Sequence, residues 1–252
     1  MLHNTDLKKR EIFAQIKITN TAIVRIDGRS FGQALRQLQF SKPYDLSFAK
    51  GMADSTVTFF RKSGINPSLA YIFSDEINLL FVKNLPFNGR LEKIDSVIPS
   101  FFSSALVLAL DCREPLSFDS RVAIIDTADI MEYLKWRQEE CWRNLMSSYG
   151  FYLLKNGGMT AKEAADKLKG LKSDQLHELA WDHGINLAKT PAWQRRGILV
   201  NKEKTLESII NPLTGKETTE QKSRIIQNWE LPLFNSKAGS QLVDSIIRNS
   251  EV

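Results

Sequence analysis

Cysteine is scarce in this chain: Cys112 and Cys141 are the only two in 252 residues. Two thiols cannot build a disulfide framework, and neither sits in a CxxC or Cys/His ligand spacing. That excludes a disulfide-stapled secreted module and a structural zinc site, and the expected compartment is the reducing cytoplasm. Histidine is nearly as rare: His3, His177 and His183 are scattered and match no zinc spacing, so no chemistry is assigned to them. Long hydrophobic runs are missing too. The most apolar stretch, Phe101 to Leu110, is broken by Ser103 and Ser104 and followed by Asp111 and Arg113, too short to span a bilayer. The opening residues Met1–Arg10 are polar and lack the apolar centre of a signal peptide. A soluble protein with no membrane partner is expected. Neither a P-loop nor a dinucleotide fingerprint is present, and no internal repeat or low-complexity linker divides the chain.

What is present is the composition of a folded domain. Hydrophobic residues make up 42% of the chain, enough for a sizeable core and far from the regime of disorder. The net charge of +5 suits a nucleic-acid partner without requiring one.

Thr21–Ile26 is rich in β-branched and apolar side chains and reads as a buried strand ending at the turn signal Asp27-Gly28. Ser41-Lys42-Pro43 then opens a helix, with proline in its first turn. Leu46, Ala49, Ala53, Val57 and Phe60 recur at helical spacing, and Gly64 stands where a C-terminal cap belongs. Two strands, Leu69–Phe73 and Ile77–Val82, flank the polar tip Ser74-Asp75-Glu76 and read as a tight hairpin. Leu91–Leu110 reads as a helix kinked at Pro99, and Arg121–Ile125 as a fourth strand. The order is β-α-β-β-α-β, the ferredoxin-like arrangement of an α+β fold. In that topology the first strand neighbours the central hairpin, so Asp27 and Asp75 are expected to meet.

Beyond this core the pattern is helical. Thr127 caps a long helix running to about Leu154, Thr160 with Glu163 forms a capping box for the next, and Ser173 opens a third that ends at His183-Gly184. Gly197–Val200 reads as a short strand, and the tail from Asn211 alternates turns with amphipathic pieces.

The turn Asp27-Gly28-Arg29-Ser30-Phe31-Gly32 places a carboxylate at a sheet edge with exposed backbone amides behind it, a geometry able to bind a metal and cradle phosphate oxygens. Alone, it reads better as a plain Asp-Gly turn with Arg29 solvated. The acidic pair Asp75-Glu76 is a poor choice for a tight hairpin turn, and two like charges crowded at a sheet edge cost energy unless a cation offsets them. With Asp27 beside them, three carboxylates are expected to converge. Two Mg²⁺ ions about 3.5–4 Å apart in such a cluster would activate a hydroxyl nucleophile and stabilise a leaving phosphate oxygen.

The blocks Arg25-Ile26-Asp27-Gly28-Arg29-Ser30-Phe31, Phe40-Ser41-Lys42-Pro43-Tyr44-Asp45, Ser74-Asp75-Glu76, Phe118-Asp119-Ser120-Arg121 and Trp136-Arg137-Gln138 fall in the order seen in the tRNA-His guanylyltransferase family. The resemblance runs over about Ile23–Gln138, with weaker echoes at Lys169-Gly170 and Gly184-Ile185-Asn186. It implies a palm-like core at 1–126, with an N-terminal helix, that adds nucleotides to tRNA 5′ ends in the 3′→5′ direction. It further implies Asp27, the Gly28 carbonyl and Asp75 as metal ligands, Glu76 as a supporting group, and two Mg²⁺ ions per site. The Gly28–Phe31 backbone (hence Arg29, Ser30 and Phe31), Lys42, Asp45 and Ser74 would form the nucleotide pocket for GTP and other nucleoside triphosphates, with ATP for 5′ activation. Residues 127–252 would be a helical extension for tRNA binding and oligomerisation, packed with the core as one unit in a homotetramer. Members that add G to tRNA-His carry a His-Ile-Asn-Asn-Leu-Tyr-Asn block. This chain has Trp142-Arg143-Asn144-Leu145-Met146-Ser147-Ser148, where only Asn144 coincides. That departure resembles the guanylyltransferase-like branch, whose template-dependent enzymes complete truncated tRNA 5′ ends.

Arg137 and Arg143 on the long helix, and Arg195 and Arg196 in a basic stretch around Trp193, are the candidate RNA contacts. Two other readings compete. A palm-type nucleotidyl cyclase would use the same carboxylates on one small nucleotide, and an inactive RNA-binding module would keep the fold alone.

Overall fold

Strand β1 (Ala22–Arg29) carries apolar side chains to both faces of a sheet, because successive residues of a strand point to opposite sides. Val24 and Ile26 enter one core and Ile23 the other. The computed structural model describes residues 7, 9–32, 38–210 and 217–251. The helix expected near the N-terminus falls largely outside them, as do residues 211–216 at the start of the tail.

Helix α1 (Leu46–Lys62) follows, then β2 (Leu69–Phe73), β3 (Glu76–Phe81), helix α2 (Leu91–Ala109) and β4 (Ser117–Ile124). Among these four strands the sheet order is β4-β1-β3-β2, all antiparallel, which is the expected split arrangement. The register sets Asp27 opposite Glu76 on β3 and opposite Asp119 on β4. Two further strands extend the sheet: β5 (Ile198–Ile210) pairs with β2 only from Ile198 to Asn201, and β6 (Glu217–Asn228) pairs along the length of β5. Past Asn201 the two run on as a ribbon. The expectation of one short strand followed by irregular pieces therefore gives way to a long hairpin and a final helix, α7 (Lys237–Glu251).

Helices cover both faces. On one, Met52 and Phe59 of α1 and Ile98, Phe102 and Leu106 of α2 pack on Val24, Ile26, Ile72, Ile77 and Leu79. Phe59 stacks on Phe102 with ring centroids 4.7 Å apart. Fully burying such a side chain stabilises by about 1.5–3 kcal/mol. On the other face, Ile130, Leu134 and Cys141 of the long helix α3 (Ile130–Asn156), with Val243 and Ile246 of α7, meet Ile23, Leu69, Tyr71 and Leu80. Helices α4 (Ala161–Leu168) and α5 (Ser173–Asp182) lie against the second half of α3, where Leu145 and Met146 pack on Leu176 and Ala180. Short helix α6 (Ala192–Arg196) leads into β5. The capping box forms as expected: Thr160 Oγ1 accepts from the Glu163 amide at 3.3 Å and Glu163 accepts from the Thr160 amide at 2.8 Å.

The start of α1 differs from expectation. Lys42 and Pro43 lie in the preceding loop, and Asp45 is the N-cap, accepting from the amides of Ser47 at 2.7 Å and Phe48 at 3.1 Å. A side-chain acceptor that satisfies two orphan helix donors outweighs the preference of proline for a first turn. Cys112 and Cys141 are buried and free, and no helix among the described residues is long and apolar enough to cross a membrane.

Candidate active site

The acidic edge is built by the pairing of β1 with β3. The Gly28 amide donates to the Asp75 carbonyl at 3.2 Å, tying the hairpin tip to the end of β1. Ser74, at the tip, has φ of +50°, and Ser30, just past Asp27-Gly28, has φ of +58°. Left-handed backbone costs a non-glycine residue about 1–3 kcal/mol, and such residues gather at functional sites. Ser74 Oγ donates to Asp75 Oδ1 at 2.9 Å. A Cβ added at Gly28 would lie 2.8 Å from Asp75 Oδ2 and 2.7 Å from the Phe31 ring, so only glycine allows the carboxylate and the loop this close. Phe31 is buried edge-on against Phe118 at 4.8 Å and fixes the loop, leaving backbone rather than side chain to face a ligand.

Burial pushes the Asp75 carboxyl above the ordinary carboxylate range. The Ser74 hydroxyl opposes this, the Asp27 charge adds to it, and the Lys42 ammonium partly offsets it. Two neighbouring carboxylates, half-buried and charging each other unfavourably, are hard oxygen donors that a divalent cation would compensate.

Glu76 behaves differently. Its Oε1 accepts from Arg137 Nε at 2.9 Å and Asn78 Nδ2 at 2.8 Å, and its Oε2 accepts from Arg137 Nη2 at 2.6 Å. Tyr133 donates to Asn78 Oδ1 at 2.8 Å and closes the network. The expected convergence of three carboxylates is therefore corrected: Glu76 reaches the same edge but gives its charge to Arg137. Among the described residues no three His, Cys, Asp or Glu side chains are grouped to hold a metal. Asp27, Asp75 and the Gly28 carbonyl remain as the set able to do so.

Two hollows meet at this edge and share Phe73, Ser74 and Asn144. A cavity of about 240 Å³ is lined by Phe40, Lys42, Tyr44, Phe73, Ser74 and Asn144, among others, and by Trp193. Asp45 also borders it, although its carboxylate is spent on backbone amides, including that of Ser41 at 2.8 Å. The second hollow is an open cleft holding Asp27, Asp75, Glu76, Arg25, Arg121 and Arg137.

The model of the tRNA-His guanylyltransferase family matches residues 4–126, and that of the Thg1 C-terminal domain matches residues 128–235. A probable tRNA(His) guanylyltransferase from Dictyostelium discoideum is 30% identical over 227 residues, covering 81% of this chain and 82% of that protein. The chain belongs to the tRNA-His guanylyltransferase family. The tRNA(His) guanylyltransferase 1 of Arabidopsis thaliana is 30% identical over 219 residues, but these are 83% of this chain and 38% of that protein, so the chain spans well under half of that relative. The fold matches that of a bacterial tRNA(His) guanylyltransferase-like protein in complex with ATP, with a TM-score of 0.75 at 22% identity, covering 96% of this chain and 97% of that one.

In this guanylyltransferase-family chain the four candidate RNA contacts do not share one surface. Arg137 is buried on Glu76, which removes it as a phosphate contact. Arg143 is paired with Glu140 at 2.5 Å. Arg195 donates to the Thr190 carbonyl at 2.6 Å and Arg196 to the Leu231 carbonyl at 2.9 Å, and both line a separate hollow with Gln138 and Leu233. Trp193 packs edge-on against Tyr44 at 5.9 Å as a wall of the enclosed cavity.

Sequence reasoning missed Tyr44 and Ser148, which also line that cavity. A signal existed. Arg137, Glu140, Asn144 and Ser148 recur at helical spacing, a polar stripe along α3 beside the core stripe of Leu134, Cys141 and Leu145.

Gly28→Ala is expected to displace Asp75 and lower the addition rate by about 100-fold, the scale of a misplacement near 1 Å at a reacting centre. Steady-state rates titrated with Mg²⁺ check this. A wild-type rate and metal requirement would show that the close approach at Gly28 serves only the fold.

Proposed function

We propose that the chain is a nucleotidyltransferase that extends the 5′ end of tRNA in the 3′→5′ direction, restoring nucleotides missing from truncated acceptor stems. The observation that carries this reading is the Asp27/Asp75 pair at the sheet edge, held close by Gly28 in an open cleft that also carries three arginines and that adjoins a second cavity at Ser74. An acidic pair in an open cleft, with a second cavity adjoining it at Phe73, Ser74 and Asn144, suits a reaction with two substrates, one small and one extended, better than cyclisation of a single nucleotide.

In the proposed reaction the 3′-hydroxyl oxygen of the incoming nucleotide forms a bond to the α-phosphorus of an activated tRNA 5′ end. The bond from that phosphorus to its leaving group breaks; pyrophosphate departs from a triphosphate end, and the hydroxyl proton passes to solvent. Two Mg²⁺ ions, when bound by Asp27, Asp75 and the Gly28 carbonyl, would supply charge stabilisation to the attacking and leaving oxygens. The Gly28–Phe31 amides and Lys42 bind the triphosphate of the incoming nucleotide, GTP or another nucleoside triphosphate. ATP serves where a 5′-monophosphate must first be activated, and the ATP complex of the bacterial relative supports a pocket of this kind. Residues 1–126 carry the chemistry and 127–252 further tRNA contacts and assembly, as a cytoplasmic homotetramer.

The Trp142–Ser148 segment supports the repair branch over dedicated G addition. The test is incubation with Mg²⁺, α-labelled nucleotides and a 5′-truncated tRNA, with the label mapped by nuclease digestion. Label at the 5′ terminus is expected. Label at the 3′ end, or a cyclic nucleotide formed without RNA, would replace this reading.

A further inference from the structure

One large aromatic side chain beside the acidic edge has no place in the core. Trp136, on the first part of α3, is 46% exposed. The Arg137 guanidinium lies 4.5 Å from its ring centroid and that of Arg25 5.9 Å, while Tyr133 stands edge-on at 5.5 Å. The indole is thus held, and partly covered, by its neighbours, yet nearly half of the residue stays open to solvent. A tryptophan with an open edge beside arginines can take a flat base as a stacking partner.

Of the arginines at this edge Arg137 is taken by Glu76, and Arg25 faces Glu76 and Tyr133 as well as the cleft, while Arg121 stands toward solvent. Arg25 and Arg121 are register partners across β1 and β4, so their side chains leave the same face of the sheet. Arg121 is 63% exposed, and its nearest carboxylate, on Asp119, is 4.0 Å away, beyond hydrogen-bonding reach. Arg25 precedes Asp27 on the same face of β1, about 7 Å along the strand at the usual rise. Both arginines line the open cleft that holds Asp27 and Asp75. The enclosed cavity on the β2 side already offers an incoming nucleotide aromatic walls in Phe40, Tyr44, Phe73 and Trp193. The indole on the cleft side is left for the other substrate.

We propose that Trp136 is a stacking platform for the terminal base pair of an RNA stem, with Arg25 and Arg121 seating the phosphates of its 5′ strand beside the Asp27/Asp75 pair. The inference rests on the 5′-extension reading and adds to it the surface that receives the RNA end. A base pair presents a flat π-face of any sequence to an indole, which fits an enzyme acting on stems of differing sequence, and guanidinium forks match phosphate oxygens.

The test uses the full chain with 5′-truncated tRNA. Trp136→Ala is expected to raise the KM for tRNA about tenfold, the scale of one lost base–aromatic stack. The KM for the nucleoside triphosphate should stay unchanged, and Trp136→Phe should recover most of the loss. Arg121→Glu, at an exposed strand position, should raise the tRNA KM by a similar factor without touching the indole. A direct readout comes from 2-aminopurine as the first nucleotide of the acceptor stem. Its fluorescence should fall on saturation with wild type and with Trp136→Phe, and not with Trp136→Ala. If Trp136→Ala fails to fold, an absence of quenching by wild type, or an unaltered tRNA KM in Arg121→Glu, overturns the proposal. Where Trp136→Ala folds, wild-type tRNA KM and wild-type quenching in that variant overturn it while leaving 5′ addition standing. Failure of wild type to extend any RNA would remove the parent reading and this one together.

Discussion

Replacing Asp27 or Asp75 with alanine is expected to abolish nucleotide addition while leaving tRNA affinity within a few fold of wild type. The carboxylates contribute through the metals they would hold, worth several kcal/mol at the transition state, or at least about a thousandfold in rate. RNA, on the proposed reading, would be held by arginines and the indole outside the pair. Single-turnover addition and filter binding, measured on the same preparations, separate the two effects. Near-wild-type turnover in either variant would remove the pair from the chemistry. A parallel fall in tRNA affinity would mean that the pair shapes the RNA surface instead.

Glu76 and Arg137 should respond in a different currency. Their buried ion pair is bidentate, at 2.9 and 2.6 Å, and lies between the sheet and α3. Removing one partner strands the other charge away from water, at a cost of about 3–5 kcal/mol in stability. Glu76→Ala and Arg137→Ala are each expected to show that loss in urea unfolding, visible as a lower midpoint at unchanged slope. Joint replacement by apolar residues of similar volume should recover much of it, because no orphan charge remains. A Glu76→Ala protein of wild-type stability that nonetheless loses addition as completely as Asp27→Ala would return Glu76 to the metal.

The meeting of Asp27 with Asp75 was legible because topology alone demands it: in a β-α-β-β-α-β order the first and third strands are neighbours. The partner of Glu76 was not, since Arg137 lies 61 residues away on a helix whose rotation about its own axis the sequence left open. Arg137 read as a candidate RNA contact for the same reason. At Asp45 two rules competed, proline in a first turn against an aspartate cap, and the cap prevailed by satisfying backbone donors. The β5–β6 hairpin was read short because beyond Asn201 it leaves the sheet, so burial no longer imprints an alternating pattern on Lys202, Glu203 and Lys204. The enclosed cavity drew Tyr44 and Ser148 from segments far apart in sequence, and only the polar stripe on α3 hinted at half of it.

Template-directed addition at a 5′ end is tested most directly with four tRNAs, each lacking its first nucleotide and each with a different base opposite the gap. They are incubated with all four nucleoside triphosphates and Mg²⁺, and the products are sequenced from the 5′ end. The expected result is one added nucleotide per tRNA, complementary to the opposing base, with extension stopping once the stem is complete. Addition of G to every tRNA, or addition only where the anticodon is that of histidine, would contradict repair and leave a dedicated guanylyltransferase in its place.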